Sequence, residues 1–324
     1  MNQWQTEVKI KKPNFQIPLG SSFYVIGSCF SDHLKNSLSN HLFHVASSPY
    51  GIEYNPVSIG QGLTRILNRQ LFQPADIIST SNGFTTWSHH SKKNNSSQEL
   101  LLQELNHQLN EAFLKIQNAD FLVITPGTAY CYYYKQNQLP VNNCHKMPQN
   151  LFIRKPCSIE EIVNAIAPNL KKIITLNQKV KFIFTLSPVK HLRDDPTENS
   201  YSKALCRCGI EELIKCFSSN SYYFPAYEIM TDELRDYRFY DRSMTHPSEE
   251  SAEFIISKFY QTFLTDKDLD FIKEWTHSLK FLNHRNTSKS INDYLNENIE
   301  QKNKILAIKN RFPHLNWSPF SHIF

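Results

Sequence analysis

The residues Gly27-Ser28-Cys29-Phe30 follow an apolar run, Phe23 to Ile26, and precede a segment with Leu34, Leu38 and Leu42 at i, i+4 and i+8. A serine at such a strand-to-helix turn exposes its hydroxyl, and its backbone N–H points out beside the start of the helix. Helix starts carry partial positive charge and free N–H donors, which suits an oxyanion that develops during acyl transfer. The same residues also fit a plain turn or helix start, with Ser31 or Asp32 as the cap. A second element is Met244-Thr245-His246-Pro247-Ser248. Proline at a helix start lacks an N–H that would go unpaired there, so Pro247 pins the loop that carries His246, as a general base requires. A loop histidine whose proline merely starts the next helix fits these residues equally well.

Other polar clusters point to less specific chemistry. Cys144-His145 has the residue types of a catalytic pair, but adjacent side chains seldom meet. His89-His90 and His44 lack a spacing that selects a metal, and Cys206-x-Cys208 has no second Cys/His pair, so neither a metal nor another cofactor is expected. His191, with Asp194 and Asp195, follows an expected strand end and either lines a cleft or sits on a solvated turn, the plainer reading. Arg235, Asp236, Arg238 and Arg242 form a mixed charge cluster near His246 that suits an anionic substrate or surface ion pairs.

Short apolar runs alternate with helix-period segments, as in β/α units around a mostly parallel sheet. About five strands are predicted: Phe23 to Ile26, Phe43 to Ala46, Phe121 to Ile124, Lys181 to Leu186 and Tyr222 to Ala226. Helices are predicted around Leu63 to Leu67, from Gln98 to Asn118, after the Ser158-x-x-Glu161 capping box, from Ser202 to Phe217 and from Ser248. Gly27, Gly51 and Gly127 are three of only 8 glycines, and they fall at or just after strand ends, where parallel sheets bind ligands. Gly127 to Pro156 reads as a long irregular loop near the site. Residues 1–265 are expected to form the α/β domain, and 266–324 a helical extension packed on it, with helices from Leu269 to Phe281 and from Asn292 to Asn310.

The 324 residues carry 35 basic and 30 acidic side chains without a basic block, which argues against nucleic acid as partner. No apolar run is long enough to span a bilayer, and the N-terminal MNQWQTEVKIKK lacks the apolar core of a signal peptide, so a cytoplasmic protein is expected. The 7 cysteines have no framework spacing and fit free thiols.

Gly27-Ser28-Cys29-Phe30-Ser31 resembles the name motif of the GSCFA family, a branch of the SGNH (GDSL-like) hydrolase superfamily. Gly51-Ile52-Glu53-Tyr54-Asn55-Pro56, Thr125-Pro126-Gly127-Thr128-Ala129, Asn143-Cys144-His145-Lys146, Ser187-Pro188-Val189, Ser202-Lys203-Ala204, Glu233 to Tyr240, His246-Pro247-Ser248 and His284-Arg285 extend the resemblance along nearly the whole chain. It implies a flavodoxin-like three-layer α/β/α sandwich and a serine hydrolase, an esterase or acyltransferase, that takes a small-molecule, glycan or lipid acyl ester. In that pattern Ser28 is the nucleophile and its N–H one oxyanion donor. Gly51 supplies another donor, with Asn55 of the same segment on the substrate side. Gly127 opens the third block, but the asparagine expected two residues later is Ala129, and Asn143 is a candidate replacement donor. His246 matches the general base. The aspartate expected three residues before it is Ser243, and Asp241 lies five before, so Asp241 reaches the imidazole only if the loop turns back over roughly 7 Å of chain. These departures at Ala129 and Ser243 leave a rival expectation, a non-catalytic binding protein that keeps the cleft without the acid.

Overall fold

The computed structural model describes residues 6–191, 195–283 and 291–324, so Asp194 and the His284-Arg285 pair lie outside the described residues. In chain order the strands are β1 (Ser22–Gly27), β2 (His44–Ser47), β3 (Ile77–Thr80), β4 (Gly83–Thr86), β5 (Phe121–Thr125), β6 (Tyr130–Tyr134), β7 (Pro140–Val141), β8 (Phe152–Pro156), β9 (Lys181–Phe184) and β10 (Ser221–Tyr223). The helices are α1 (Cys29–Asn40), α2 (Pro56–Leu67), α3 (Gln98–Gln117), α4 (Ile159–Leu176), α5 (Pro196–Cys216), α6 (Ala226–Glu228), α7 (Glu249–Phe263), α8 (Asp266–Asn283), α9 (Ile291–Glu297) and α10 (Ile299–Arg311).

Five strands form one parallel sheet in the order β2-β1-β5-β9-β10. Numbered by their order in the chain this is 2-1-3-4-5, the flavodoxin-like arrangement, and both faces are covered by helices. The alternation of side chains along each strand divides the core in two. Phe23, Val25, Phe121, Val123 and Ile183 point to one side and pack with α1, α7 and α8. Tyr24, Ile26, Leu122, Ile124, Phe182 and Phe184 point to the other and pack with α2, α3, α4 and α5. Continuous apolar runs such as Phe-Leu-Val-Ile are what a strand buried on both faces needs.

The C-terminal residues share the first of these cores. Phe271, Ile272, Trp275 and Leu279 of α8, with Ile305 and Ile308 of α10, are buried with Leu34 and Ile255. Trp275 Nε1–H donates to the Asn40 carbonyl at 2.7 Å, which ties α8 to the end of α1. The expected helix from Asn292 to Asn310 is two helices that break at Asn298.

The expected irregular loop from Gly127 to Pro156 carries three short strands, β6, β7 and β8. β6 pairs antiparallel with both β7 and β8, and the unpredicted β3 and β4 form a separate hairpin. Arg154 lies over the Tyr130 ring at 3.6 Å, and Trp87 packs on Tyr134 at 5.0 Å. Such aromatic contacts cover faces that short strands cannot bury alone.

Candidate active site

The strand order reverses between β1 and β5, and ligands in such sheets bind where the carboxyl ends of the strands diverge. β1 ends at Gly27, whose φ is +142°. A Cβ there would stand 2.2 Å from the Thr125 carbonyl oxygen, so only glycine fits between the two strands. One residue on, Ser28 is the N-cap of α1, in an extended conformation and with no capping hydrogen bond from its side chain. The Ser31 N–H and hydroxyl instead donate to the Ser28 carbonyl, at 2.8 and 2.6 Å. The helix therefore starts at Cys29, not at Ser31 or Asp32, and the Ser28 hydroxyl is released from capping. It is buried, its residue 1% exposed, and its Oγ has no hydrogen-bond partner among the described residues.

The loop after β5 closes over this serine. Gly127 N–H and Thr128 N–H both donate to the Tyr54 carbonyl, at 2.8 and 3.0 Å. A Cβ on Gly127 would meet His191 Nε2 at 3.0 Å, Ser28 Cβ at 3.1 Å and Tyr54 O at 3.4 Å. His191 thus reaches the serine pocket and is not a solvated turn. The loop after β9 carries it there alongside the loop after β5, with Ser187 N–H donating to Pro126 O at 3.0 Å. His191 N–H donates to Asn199 Oδ1 of α5 at 3.0 Å, which fixes the residue. Its Nε2 is buried and without a partner among the described residues. Burial first, then the charges of Lys203, His246 and Arg154, push its pKa down to about 3, against a small upward pull from the Gly127 backbone. Lys203 itself is buried, donates to the Ser187 carbonyl at 2.8 Å, and is pushed down to about 7 by burial.

His246 sits on the loop before α7, against the loop that bears His191, since Lys190 N–H donates to the Thr245 carbonyl at 2.8 Å. Its Nδ1 is 2.8 Å from Thr245 Oγ1 and 3.3 Å from Ser243 Oγ. Thr245 Oγ1 lies 2.5 Å from Ser243 Oγ, and the Ser243 hydroxyl donates to Asp241 Oδ1. Asp241 comes back because the segment is a tight turn: Asp241 N–H donates to His246 O at 2.9 Å, and Met244 takes a left-handed φ of 58°. The carboxylate does not touch the imidazole, and two hydroxyls stand between them. Hydrogen bonds from the Ser243 hydroxyl and N–H hold the Asp241 carboxyl below the usual range.

A carboxylate can only accept, so the direction of this chain is fixed. Ser243 donates to Asp241 and accepts from Thr245, and Thr245 accepts from Nδ1–H of His246. The lone pair of the neutral imidazole is then on Nε2. No sequence expectation attached to Thr245; its only signal was a hydroxyl residue next to the histidine.

Several expected partners lie elsewhere or are already engaged. Ser28 N–H donates to Thr125 O at 2.9 Å and Gly51 N–H to Ser48 O at 3.3 Å. Asn55 caps α2, accepting from Ser58 N–H at 2.8 Å. Asn143 hydrogen-bonds to His145 and to the Trp87 carbonyl. Ala129 is buried, and its N–H donates to Ser202 Oγ. His145 Nε2 is 2.9 Å from the Thr86 carbonyl, and His89 is buried against Tyr50 and Phe72. Cys206 is buried and Cys208 exposed, on different faces of α5. Arg235, Asp236, Arg238 and Arg242 are exposed. Among the described residues no group of His, Cys, Asp and Glu is arranged to hold a metal ion, and no helix is long and apolar enough to cross a membrane. A cleft of about 1280 Å³, lined by Glu53, Ser58, Trp87 and Tyr134, lies on the α2 side and is lined by neither Ser28 nor His246.

Among solved structures, the chain is similar to an acetyl xylan esterase (Est2A) from the rumen bacterium Butyrivibrio proteoclasticus, at 10% identity and a TM-score of 0.40. The similarity covers 76% of this chain and spans 64% of that esterase. A search of curated proteins gave no match. The GSCFA family profile matches residues 22–259, from β1 through the Ser28 turn and both histidine loops into α7, and the chain belongs to the GSCFA family.

Proposed function

We propose that this chain is an SGNH-type serine hydrolase or acyltransferase that acts on an ester through an acyl-serine at Ser28. The observation that carries the reading is the buried Ser28 hydroxyl, freed from capping and unpartnered, at the start of α1 on the sheet's switch point. In the reaction His246 Nε2 takes the Ser28 proton as Oγ attacks the ester carbonyl. The tetrahedral intermediate collapses, and the departing alcohol takes that proton from the imidazolium. Water, or a second alcohol, then attacks the acyl-serine by the same route. The Asp241–Ser243–Thr245 relay supports the imidazolium and holds the tautomer with Nε2 free to accept. Ser28 is 1% exposed, so the residues packed over it, Gly127 among them, must give way for the ester to reach it. The Ser28–His246 hydrogen bond then forms as substrate binds, as such bonds often do. The substrate class is a small-molecule, glycan or lipid acyl ester.

Hydrolysis of a panel of short-chain esters tests this reading. Ser28→Ala and His246→Ala should each abolish turnover, with stability changed by no more than about 1 kcal/mol for the loop histidine. His145→Ala should leave most of it. The rival reading, a binding protein, draws on the engaged N–H groups of Ser28 and Gly51 and on Ala129. It expects no Ser28-dependent turnover of any ester.

A further inference from the structure

We infer that His191 completes the oxyanion site: with its proton on Nε2, it donates to the substrate oxygen that becomes negative when Ser28 attacks. The inference rests on the acyl-serine reading and adds a residue that reading does not contain. An oxyanion site needs donors that are free and aimed at one point. The two backbone N–H groups expected to serve are spent within the fold, those of Ser28 on Thr125 O and Gly51 on Ser48 O, and the nearby Gly127 N–H is spent on Tyr54 O. The third expected donor, an asparagine side chain, is replaced by Ala129. The first turn of α1 still offers N–H groups without intrahelical partners, on one side of the serine.

On the other side stands His191. Its Nε2 is buried, has no partner among the described residues, and faces Ser28 across the space left by the missing Cβ of Gly127. A buried polar atom left unpaired costs stability, which is accounted for if it meets a ligand atom in the working state. Desolvation, Lys203 and His246 keep this imidazole neutral, so it is a poor base near neutral pH but still a competent N–H donor. His246 has the opposite arrangement, because the hydroxyl relay leaves its Nε2 as acceptor. Two histidines in one cleft thus divide the work, one accepting the serine proton and one donating to the oxygen.

The test compares wild type, His191→Ala and His191→Gln on an ester and on the matching thionoester, in which sulfur replaces the carbonyl oxygen and accepts hydrogen bonds poorly. His191→Ala should lower kcat on the oxoester by roughly 10²–10³-fold with little change in KM. It should also lose much of the wild-type preference for the oxoester. His191→Gln, which keeps an N–H near the same place, should recover part of both. Equal losses on the two esters, together with loss of the acidic limb of the pH–rate profile, would make His191 a base and overturn the assignment. An unchanged kcat, or a loss explained by a lower melting temperature alone, overturns it as well. Ser28-dependent hydrolysis indifferent to His191 refutes only this assignment, whereas absence of Ser28-dependent hydrolysis in wild type removes the acyl-serine reading and the oxyanion role together.

Discussion

Replacing Thr245 by valine removes one hydroxyl and almost no volume, at the link between His246 and the Asp241–Ser243 pair. In wild type, Nδ1–H meets Thr245 Oγ1 at 2.8 Å, and the next oxygen, Ser243 Oγ, is 3.3 Å away. The variant leaves Nδ1–H against a methyl group, with only the longer contact as substitute. When His246 becomes an imidazolium, the lost bond is one to a charged group, worth about 1.5–3 kcal/mol. That converts to a fall in kcat of roughly 10- to 150-fold. Asp241→Asn acts two hydroxyls away on a largely exposed carboxylate, where solvent weakens its influence. Its effect should be about tenfold, far below the ~10⁴ seen when a carboxylate touches the histidine directly. The assay is steady-state hydrolysis of a short-chain ester, with a thermal melt to show that each variant is folded. A folded Thr245→Val enzyme with kcat within twofold of wild type would refute the relay, and so would an Asp241→Asn loss larger than that of Thr245→Val.

Gly127 has an ordinary φ, so Gly127→Ala costs little in backbone strain, but its methyl would press on His191 Nε2 and Ser28 Cβ at about 3 Å. Ester turnover should fall at least tenfold in a protein that melts normally, and retained turnover would mean that this gap is not where the reaction occurs. Glu53 is 1% exposed, accepts from the Ser48 hydroxyl, and is held well above its usual value of 4.5 by burial. The folded state therefore keeps a proton that the unfolded chain loses above that pH, and stability falls as pH rises toward the raised value, by up to about 1.4 kcal/mol per unit. Glu53→Gln should remove this slope, so urea midpoints near pH 8 should favour the variant and those near pH 4 should nearly coincide. Trp275 is fully buried against Trp317 and Phe320, and Trp275→Ala should cost about 3–5 kcal/mol in denaturant unfolding.

The parallel sheet was legible in the sequence because its three central strands, β1, β5 and β9, are buried on both faces and so appear as apolar runs. Ser28 was legible for the same reason, as the residue after the run that ends at Gly27. The hairpin β3–β4 and the sheet β6–β8 were not, because strands of two to five residues with half-exposed faces carry no such signature. His191 lies in a polar stretch beside Lys190 and Asp195, which reads as a turn. Its burial comes from Gly127, Tyr54 and Asn199, brought to it by separate segments of the chain. The engaged N–H groups of Ser28 and Gly51 depend on strand register and turn geometry, which residue types do not encode. The relay needed the left-handed turn at Met244, a non-glycine residue that gives no warning of positive φ.

Treatment with a fluorophosphonate, read by intact mass and peptide mapping, tests most directly the claim that Ser28 is an activated nucleophile. The account predicts a single adduct on Ser28, absent in Ser28→Ala and strongly slowed in His246→Ala, because only a base-activated serine beside an oxyanion site reacts readily. An unlabelled wild-type protein at neutral and mildly basic pH, or an adduct on any other residue, would contradict it.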